Sequence, residues 1–555
     1  QRVRALNLKG IYFQKESKRF YPKRELAAQA LGYVGLDDEG LGGIERQYDE
    51  LLRGRPGQML ISLDAKRRWF GRVERQPEPG RNLELTIDEN IQYIAERELE
   101  RAFEETHAVA ATIIVQNSKT GEILALANRP TFNPNIFNKV PPEALKNRAV
   151  SDVYEPGSTF KIVTVTGALE EHLTRPDEMI DCQMGAIVVG GMRIRDHEKF
   201  GLIPVSDIIA KSSDVGAIKL GLRMGEERFD HYIRAFGFGS QTGIELPGET
   251  RGLAKPVSRW SKVSIGAISM GQEIGISAVQ LAELISTIAN DGVWVAPHII
   301  AAPELRTVSL KNVPIEQQRR VISPLTAAQM KAMLEGVVLR GTGRKAVLDG
   351  YTAAGKTGTA QKVDPATGSY SKSKYVGSFA GFAPVNNPAL TVVVIIDSAV
   401  GLHQGGQVAA PVFQRVMQQA LEYLNVRHDT DVKNPKRMLL RAQVKDSELG
   451  ESSPDRLAGS LDVTPGPQPK PAAQASAGDS LQDHPAAPTT GTVVVESEGV
   501  LVPSLIGKPL RQAVEVAEEA GFEIDVIGNG VAREQNPAPG SKIAPGARVA
   551  VRFQP

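Results

Sequence analysis

The chain is poor in residues that build disulfides and metal sites, since Cys182 is the only cysteine among its 555 residues. A single cysteine excludes an internal disulfide and any metal site built from several thiolates. The eight histidines, which include His107, His172, His197 and His231, show no spacing typical of metal ligands. We therefore predict a protein without a metal ion or another cofactor.

A large charge of one sign is also missing. The formal net charge is +1, which argues against a nucleic-acid-binding surface. With 41% hydrophobic and 23% charged residues, the composition is that of ordinary globular domains. The length is too great for a single core, so we expect several domains.

Long apolar runs are absent as well. The best candidates, residues 108–115 and 390–396, have the length of strands and fall short of the roughly 18 to 20 apolar residues that cross a bilayer. No signal peptide is recognisable. The sequence begins at Gln1 rather than at a methionine, so we expect the native start to lie upstream.

Changes in composition divide the chain into four parts. Residues 1–78 predict a small α+β support domain, and residues 79–430 form the main domain. A linker rich in proline and alanine follows at 431–498, and residues 499–555 form a compact C-terminal unit.

Hydrophobic periodicity predicts an α+β fold, both for the main domain and for the smaller units on either side of it. Strands are predicted at residues 58–63, 83–88, 110–116, 122–127, 353–362, 378–382, 390–396, 522–527 and 547–553. Helices are predicted at residues 23–31, 44–52, 89–105 and 510–520, and residues 158–340 are mostly helical in pattern. One antiparallel sheet built from sequence-distant strands, packed against a helical half, satisfies this order.

The first candidate motif is Ser158-Thr159-Phe160-Lys161, which follows a Pro-Gly turn and begins an apolar helical run. A helix places Ser158 and Lys161 about one turn apart, and the free N–H groups at its N-terminus stabilise an oxyanion. Ser158 is therefore a candidate nucleophile and Lys161 its base, because burial beside a second cation favours a neutral amine. The alternative interpretation of this sequence is a serine that caps the helix, followed by a lysine exposed to solvent.

The second candidate motif is Lys211-Ser212-Ser213-Asp214, which lies between two helical stretches. Ser212 could relay a proton between Lys161 and a leaving amine, and Asp214 could orient a substrate amide or pair with a lysine. Helix capping by serine and aspartate accounts for this motif equally well when it is taken alone.

The third candidate motif is Lys356-Thr357-Gly358-Thr359, on a predicted strand. Alternation places Lys356 and Gly358 on one face and the two threonines on the other. We predict that Lys356 adds positive potential and attracts a carboxylate, that Gly358 lets a substrate lie against the backbone, and that Thr359 supplies an oxyanion N–H. A phosphate-binding loop is the alternative for Gly-Lys-Thr, which we do not favour.

The order and spacing of the three motifs together predict acyl transfer through a serine ester. On these motifs the chain resembles the class B penicillin-binding proteins, which are peptidoglycan D,D-transpeptidases. Residues 41–49 are similar to the family's pedestal, residues 266–273 to a segment near its cleft, and the C-terminal unit to a PASTA domain. The resemblance implies the transpeptidase fold, a dimerisation-type pedestal and a division- or sporulation-type member.

The resemblance also implies roles for the motif residues. Ser158 would be the nucleophile, Lys161 its base and Ser212 a proton-transfer group. Lys356, Thr357 and Thr359 would hold the peptide carboxylate and a strand-like substrate, with the N–H groups of Ser158 and Thr359 as the oxyanion hole. Stem peptides ending in D-Ala-D-Ala would be the substrates, and β-lactams would acylate Ser158.

Partners and location follow from the same resemblance. It implies a partner glycosyltransferase, division proteins, and a single N-terminal membrane helix that this sequence lacks, with the catalytic domain on the outer side of the membrane. One departure concerns the chemistry, since Asp214 stands where the family usually has asparagine. An ionised carboxylate only accepts hydrogen bonds, and Asp214 could hold Lys161 in its charged form.

Two alternatives stay open. A serine β-lactamase shares the three motifs, although a hydrolase of soluble antibiotics needs neither a pedestal nor a C-terminal module. A non-catalytic cell-wall-binding scaffold is the other alternative, with Asp214 as the mark of lost activity.

Overall fold

The computed structural model describes residues 18–63, 69–306, 317–364 and 368–432, and residues 500–554 with short gaps. The chain forms two compact units, divided between Leu461 and Asp462. The predicted linker and most of the helix predicted at 510–520 lie outside the described residues. Among the helices of these residues, none combines the length and the apolar character that crossing a bilayer requires.

Three short helices and a hairpin form the N-terminal part. They are α1 (Ala28–Leu31), α2 (Gly43–Gln47), α3 (Asp49–Arg53), β1 (Gln58–Leu63) and β2 (Trp69–Arg75). The helix predicted at 23–31 is confirmed only for its last turn, because Arg24 and Ala27 have positive φ angles. The helix predicted at 44–52 is divided at Tyr48, whose φ of −114° and ψ of 24° leave the helical region.

The main domain begins with a capped helix and a hairpin. Its first elements are α4 (Glu89–Thr106), β3 (Ala110–Asn117), β4 (Ile123–Arg129), α5 (Pro142–Leu145) and α6 (Arg148–Ser151). Asp88 caps α4 as predicted, and its carboxylate accepts the N–H groups of Asn90 and Ile91 at 2.9 and 3.0 Å. The strand predicted at 83–88 is wrong, since this segment forms only a single bridge between Leu85 and Ile300.

The middle of the chain is mainly helical, as predicted. Its helices are α7 (Lys161–Glu170), α8 (Val205–Lys211), α9 (Asp214–Met224), α10 (Glu226–Ala235), α11 (Ser264–Ser269), α12 (Ala278–Ala289), α13 (Pro303–Arg306) and α14 (Pro324–Leu339). Short strands that the sequence pattern did not predict interrupt them: β5 (Met179–Asp181), β6 (Ala186–Val189), β7 (Met192–Arg195), β8 (Leu202–Pro204), β9 (Val293–Val295) and β10 (Gln318–Arg320). Each has only three or four residues, too few for alternation to be recognised.

The predicted sheet of sequence-distant strands is confirmed. The chain returns through β11 (Ala354–Val363), β12 (Tyr370–Ala383), β13 (Leu390–Asp397), α15 (Gly405–Val408) and α16 (Ala410–Tyr423). Five strands form one antiparallel sheet in the order β11-β12-β13-β3-β4. Alternate residues of β13 enter different cores, with Val392 and Val394 beside α4 and α16, and Val393 facing the helical half. Among the described strands, β11 lies at one edge of this sheet.

The C-terminal unit contains β14 (Val500–Leu501), β15 (Glu523–Gly528), β16 (Val531–Asn536), β17 (Lys542–Ile543) and β18 (Arg548–Gln554). β18 pairs in parallel with β15 and antiparallel with β16. The strands predicted at 522–527 and 547–553 are confirmed, whereas β16 was not predicted. Leu505, Ala513 and Val549 are buried in the core of this unit.

Candidate active site

Ser158 lies in a single 3₁₀ turn, Gly157–Phe160, directly before α7. The turn packs closely on β11, because a Cβ added to Gly157 would lie 3.2 Å from the carbonyl oxygen of Thr359. Phe160 is fully buried and packs against Phe238, with 5.2 Å between the two ring centroids. This contact anchors the turn in the core. The half-buried Ser158 is therefore held beside the third motif, as predicted.

Lys161 is the first residue of α7, and its side chain is completely buried. Its ammonium donates to the carbonyl oxygen of Ser212 at 2.6 Å and to the Ser212 hydroxyl at 3.1 Å. It also forms an ion pair with Asp214, with 2.8 Å between Nζ and Oδ1. A solvated lysine is thus excluded.

Ser212 lies at the junction of α8 and α9 and joins the first and third motifs. Its backbone has a left-handed conformation, with φ 62° and ψ 43°, which is uncommon for a residue other than glycine. This conformation directs the hydroxyl between two amines, since Lys356 also donates to the Ser212 Oγ, at 2.9 Å. A single oxygen therefore links Lys161 and Lys356.

Lys356 is fully buried on β11 and also donates to the Thr357 carbonyl oxygen at 3.3 Å. Burial lowers the pKa of Lys356 well below its ordinary value, and the positive charge of Lys161 adds to this effect. The negative charge of Asp214 acts in the opposite direction. The cluster therefore contains two amines and one carboxylate, and Lys356 loses its proton more readily than an ordinary lysine.

The predicted alternation along β11 is confirmed. The hydroxyl groups of Thr357 and Thr359 point away from the amine cluster, towards Thr342 at 2.7 Å and the N–H of Gly405 at 3.0 Å. The missing side chain of Gly358 has a packing role that the sequence pattern did not predict, because a Cβ there would lie 2.9 Å from the carbonyl oxygen of Pro156. Glycine lets the turn that carries Ser158 approach β11 closely, and the substrate contact expected at this position stays a prediction.

Within the part of the chain that the structure describes, β11 pairs with β12 alone, so the backbone of β11 is open along its other edge. An edge strand of this kind can add an extended peptide through main-chain hydrogen bonds. The sequence from Gly350 to Thr357 matches the pattern of a phosphate-binding loop, but such a loop joins a strand to a helix. Gly355, Lys356 and Thr357 lie inside β11, so that alternative is excluded.

Asp196 supports the second motif, although the sequence pattern did not predict it as part of the site. Its carboxylate accepts the N–H groups of Asp214 and Val215, the latter at 3.0 Å, and the Ser213 hydroxyl at 2.8 Å. Ser213 in turn caps α9 by accepting the N–H of Gly216 at 3.0 Å. Because Asp196 and Ser213 satisfy the start of α9, the carboxylate of Asp214 is free to pair with Lys161.

No signal in the sequence identifies Asp196, which follows β7 in a hairpin region far from the motif it supports. Helix capping, the alternative explanation of the second motif, is confirmed only for Ser213, which caps α9. The described residues contain no group of three histidine, cysteine or acidic side chains that could hold a metal ion.

Comparison with known families matches three models along the chain. The penicillin-binding protein transpeptidase domain matches residues 111–418, the penicillin-binding protein dimerisation domain residues 2–85, and the PASTA domain residues 500–554. The first match covers the sheet, the helical half and all three motifs.

Individual proteins give the same picture. Stage V sporulation protein D of Bacillus subtilis is 37% identical over 77% of this chain and 67% of its own length. Peptidoglycan D,D-transpeptidase FtsI of Escherichia coli K12 is 34% identical over 77% of the chain and 71% of its length. Among solved structures, penicillin-binding protein 3 of Mycobacterium tuberculosis in complex with aztreonam is 33% identical, with a TM-score of 0.66 over 74% of this chain and 92% of that one.

Proposed function

The chain belongs to the penicillin-binding protein transpeptidase family, and from this membership we propose that it joins peptidoglycan stem peptides through a serine ester at Ser158. The observation that carries the chemistry is the Ser212 hydroxyl, which receives hydrogen bonds from both buried amines. This arrangement supplies a proton acceptor next to the turn that holds the nucleophile.

In the first step, the Ser158 Oγ bonds to the carbonyl carbon of the penultimate D-Ala, and its proton passes to Lys161. Lys161 can accept it when the cluster lacks one proton, because Ser212 lets the remaining proton move from Lys161 to Lys356. The C–N bond to the terminal D-Ala then breaks. Its nitrogen takes the proton back through Ser212, and D-Ala leaves as the free amine.

In the second step, the amine of another stem peptide attacks the ester carbon. The amine gives a proton to the cluster, a new amide bond forms, and the Ser158 oxygen leaves and regains its proton. The N–H groups of Ser158 and Thr359 would stabilise the oxyanion of both tetrahedral intermediates. Lys356, Thr357 and the backbone at Gly358 and Thr359 would hold the donor peptide and its terminal carboxylate.

A β-lactam would take the place of the donor peptide in the first step. The amide bond of its ring would break, and its carbonyl carbon would form an ester with the Ser158 Oγ. Solved structures of one similar protein, penicillin-binding protein 3 of Mycobacterium tuberculosis, hold aztreonam or ampicillin. We further infer a role in wall synthesis at division or sporulation, on the outer side of the membrane, beside a glycosyltransferase and division proteins. The name of the Bacillus subtilis relative supports the link to sporulation, and the name of the Escherichia coli relative supports the role in peptidoglycan synthesis.

Labelling with a fluorescent penicillin, followed by intact-mass measurement, tests the proposed function. The expected result is one stable adduct per chain that is absent from the Ser158→Ala variant. Rapid turnover of the drug would indicate a β-lactamase instead. Absence of any adduct would favour the non-catalytic scaffold.

A further inference from the structure

Four exposed cations form a basic ridge beside β11. They are Lys211 on the last turn of α8, and Arg340, Arg344 and Lys345 in the segment that joins α14 to β11. Among the described residues, Asp207 is the one carboxylate paired with them, at 3.0 Å from Lys211 and 3.5 Å from Arg340. Arg344 and Lys345 donate only to neutral oxygens within this part of the chain. The ridge therefore carries a surplus of positive charge.

The segment that carries three of these cations is packed between the second and third motifs. The N–H of Thr342 donates to the Ala210 carbonyl oxygen at 3.2 Å, two positions before Ser212. The Thr342 hydroxyl shares a hydrogen bond of 2.7 Å with the Thr357 hydroxyl. A Cβ added to Gly341 would lie 2.1 Å from the Ala210 carbonyl oxygen, so the segment and α8 are in close contact. The cations are thus held in place before any ligand arrives, which lowers the entropic cost of binding one.

The leaving group of the proposed reaction lies on this side of Ser158. The carboxylate of the terminal D-Ala would be held at Lys356 and Thr357, so its nitrogen lies between Ser158 and those residues. The acceptor amine must approach from the place that this nitrogen has left, because the oxyanion hole holds the acyl group in the same orientation in both steps. The rest of the acceptor therefore extends past Thr357 towards the ridge.

The acceptor is itself an anion at its C-terminus. Its reactive amine is at the end of a side chain, so the amine and the terminal carboxylate lie at opposite ends of the molecule. Arg344 is two positions after Thr342, and two extended residues span at most about 7 Å. An acceptor whose amine lies at Ser158 can therefore place its carboxylate at the ridge. Arginine suits this contact, since its guanidinium group binds a carboxylate through two parallel N–H donors.

We propose that the basic ridge binds the acceptor peptide by its carboxylate and brings its amine to the ester at Ser158. The inference rests on the proposed function, because it concerns the second step of that reaction. In this step the acceptor nitrogen bonds to the ester carbon, and the bond from that carbon to the Ser158 oxygen breaks. The proton of the amine returns to this oxygen through Lys161, Ser212 and Lys356. The ridge takes no part in bond making and raises the local concentration of anionic acceptors.

Two acceptors that differ only in charge test the inference: Nα-acetyl-L-lysyl-D-alanine and its C-terminal carboxamide. Neither ends in D-Ala-D-Ala, so neither serves as a donor. A thioester, N-benzoyl-D-alanyl-thioglycolate, acylates Ser158 of the full chain, and mass spectrometry then gives the ratio of amide product to hydrolysis product. At low salt this ratio should be about tenfold higher for the carboxylate acceptor. In about 1 M salt, where the Debye length is about 3 Å, most of this advantage should be lost.

Variants assign the advantage to the ridge. The triple variant Arg340→Gln/Arg344→Gln/Lys345→Gln should bring the ratios of the two acceptors close together, whereas Arg340→Lys/Arg344→Lys should keep part of the difference. Asp207→Asn removes the one carboxylate that pairs with the ridge in the described part of the chain. It should increase the advantage of the carboxylate acceptor, a gain that a folding defect does not produce.

Lys23→Gln/Arg175→Gln/Arg228→Gln is the matched control. It removes the same amount of charge at exposed positions that do not belong to the ridge. The advantage of the carboxylate acceptor should be the same in this variant as in the wild-type chain. A loss of the advantage in the control would assign the effect to the overall charge of the protein and overturn the inference.

The outcomes separate the two proposals. If penicillin labels Ser158 but the wild-type chain uses the two acceptors equally well, the inference fails and the proposed function stands. An advantage that survives in the triple ridge variant also overturns the inference. A wild-type chain that neither penicillin nor the thioester acylates would overturn the proposed function, and the inference with it.

Discussion

Lys161 and Asp214 form an ion pair of 2.8 Å in which the lysine side chain is completely buried. The second buried amine, Lys356, has a pKa well below its ordinary value because of its burial and the nearby charge of Lys161. Ser212 links the two amines through one hydroxyl oxygen. The availability of a proton acceptor for Ser158 therefore depends on all four side chains and not on Lys161 alone.

Replacing Asp214 by asparagine should keep or raise the rate at which penicillin acylates Ser158. The carboxylate raises the pKa of Lys356, so its removal lowers that pKa further. Because acylation requires an amine that has lost its proton, the acid limb of the pH–rate profile should move to lower pH. The measurement is the rate of labelling by fluorescent penicillin between about pH 5 and pH 9, a range that covers both limbs of the pH–rate profile.

Two results would contradict this prediction. A large loss of acylation in Asp214→Asn would show that the carboxylate has a role of its own. An acid limb that moves to higher pH would show that Asp214 does not act on Lys356 through its charge.

Removal of the Asp196 carboxylate should disturb the second motif from a distance. Asp196→Ala removes the acceptor of the Asp214 and Val215 N–H groups at the start of α9, which should cost about 1 to 2 kcal/mol of stability. It should also slow acylation by about tenfold or more, because Asp214 and Ser212 lose their fixed positions. Thermal unfolding and penicillin labelling measure the two effects.

Asp88→Ala is the matched control for this change. Asp88 caps α4 through two backbone N–H groups, much as Asp196 caps α9. The control should lose a similar amount of stability and keep its acylation rate. Equal losses of acylation in both variants would mean that Asp196 acts only on stability.

The sequence predicts the parts of this site that follow from local chemistry. Ser158, Lys161 and Lys356 belong to motifs in which spacing and residue type are both informative, and the alternation along β11 follows from strand geometry. Asp196 could not be predicted, because its contact with Asp214 depends on how the β6–β7 hairpin packs against α9. The left-handed backbone conformation of Ser212 could not be predicted from the sequence either, since neither a glycine nor a turn motif occurs at this position.

The errors at the level of the fold have similar causes. Residues 83–88 alternate like a strand, yet they find only one bridging partner, Ile300. The close packing of Pro156 against Gly358 was likewise not predicted. In each case the pattern is local, and the decisive partner is distant in the chain.

Gly405 should prove intolerant of any side chain. Its N–H donates to Thr359 Oγ1, and a Cβ at this position would lie 2.2 Å from the carbonyl oxygens of both Gly358 and Ser378. Gly405→Ala should therefore displace β11, cost about 1 to 3 kcal/mol and reduce acylation. Gly201→Ala, whose Cβ would meet nothing closer than 3.6 Å, should leave stability and acylation unchanged.

Glu283 should make the main domain less stable as the pH rises. This side chain is buried on α12, accepts a hydrogen bond from Gln116 at 2.6 Å, and has a pKa raised by burial to about 8. An unfolded glutamate has a pKa of about 4.3, so the folded state binds the proton more tightly. The free energy of unfolding should then fall between about pH 4.3 and pH 8.

Glu283→Gln removes this titration and retains the acceptor for Gln116. Urea unfolding of the variant should show a smaller decrease in stability from pH 5 to pH 8 than the wild-type chain. An unchanged decrease would assign the pH dependence to other groups.

The mass of the penicillin adduct tests the central claim most directly. After incubation with penicillin and proteolysis, the wild-type chain should carry one drug molecule on the peptide that contains Ser158, and Ser158→Ala should carry none. The Ser151→Ala variant, which alters a half-buried serine on α6, should be labelled like the wild-type chain. An adduct that persists in Ser158→Ala, or one located on another peptide, would contradict the assignment of the nucleophile.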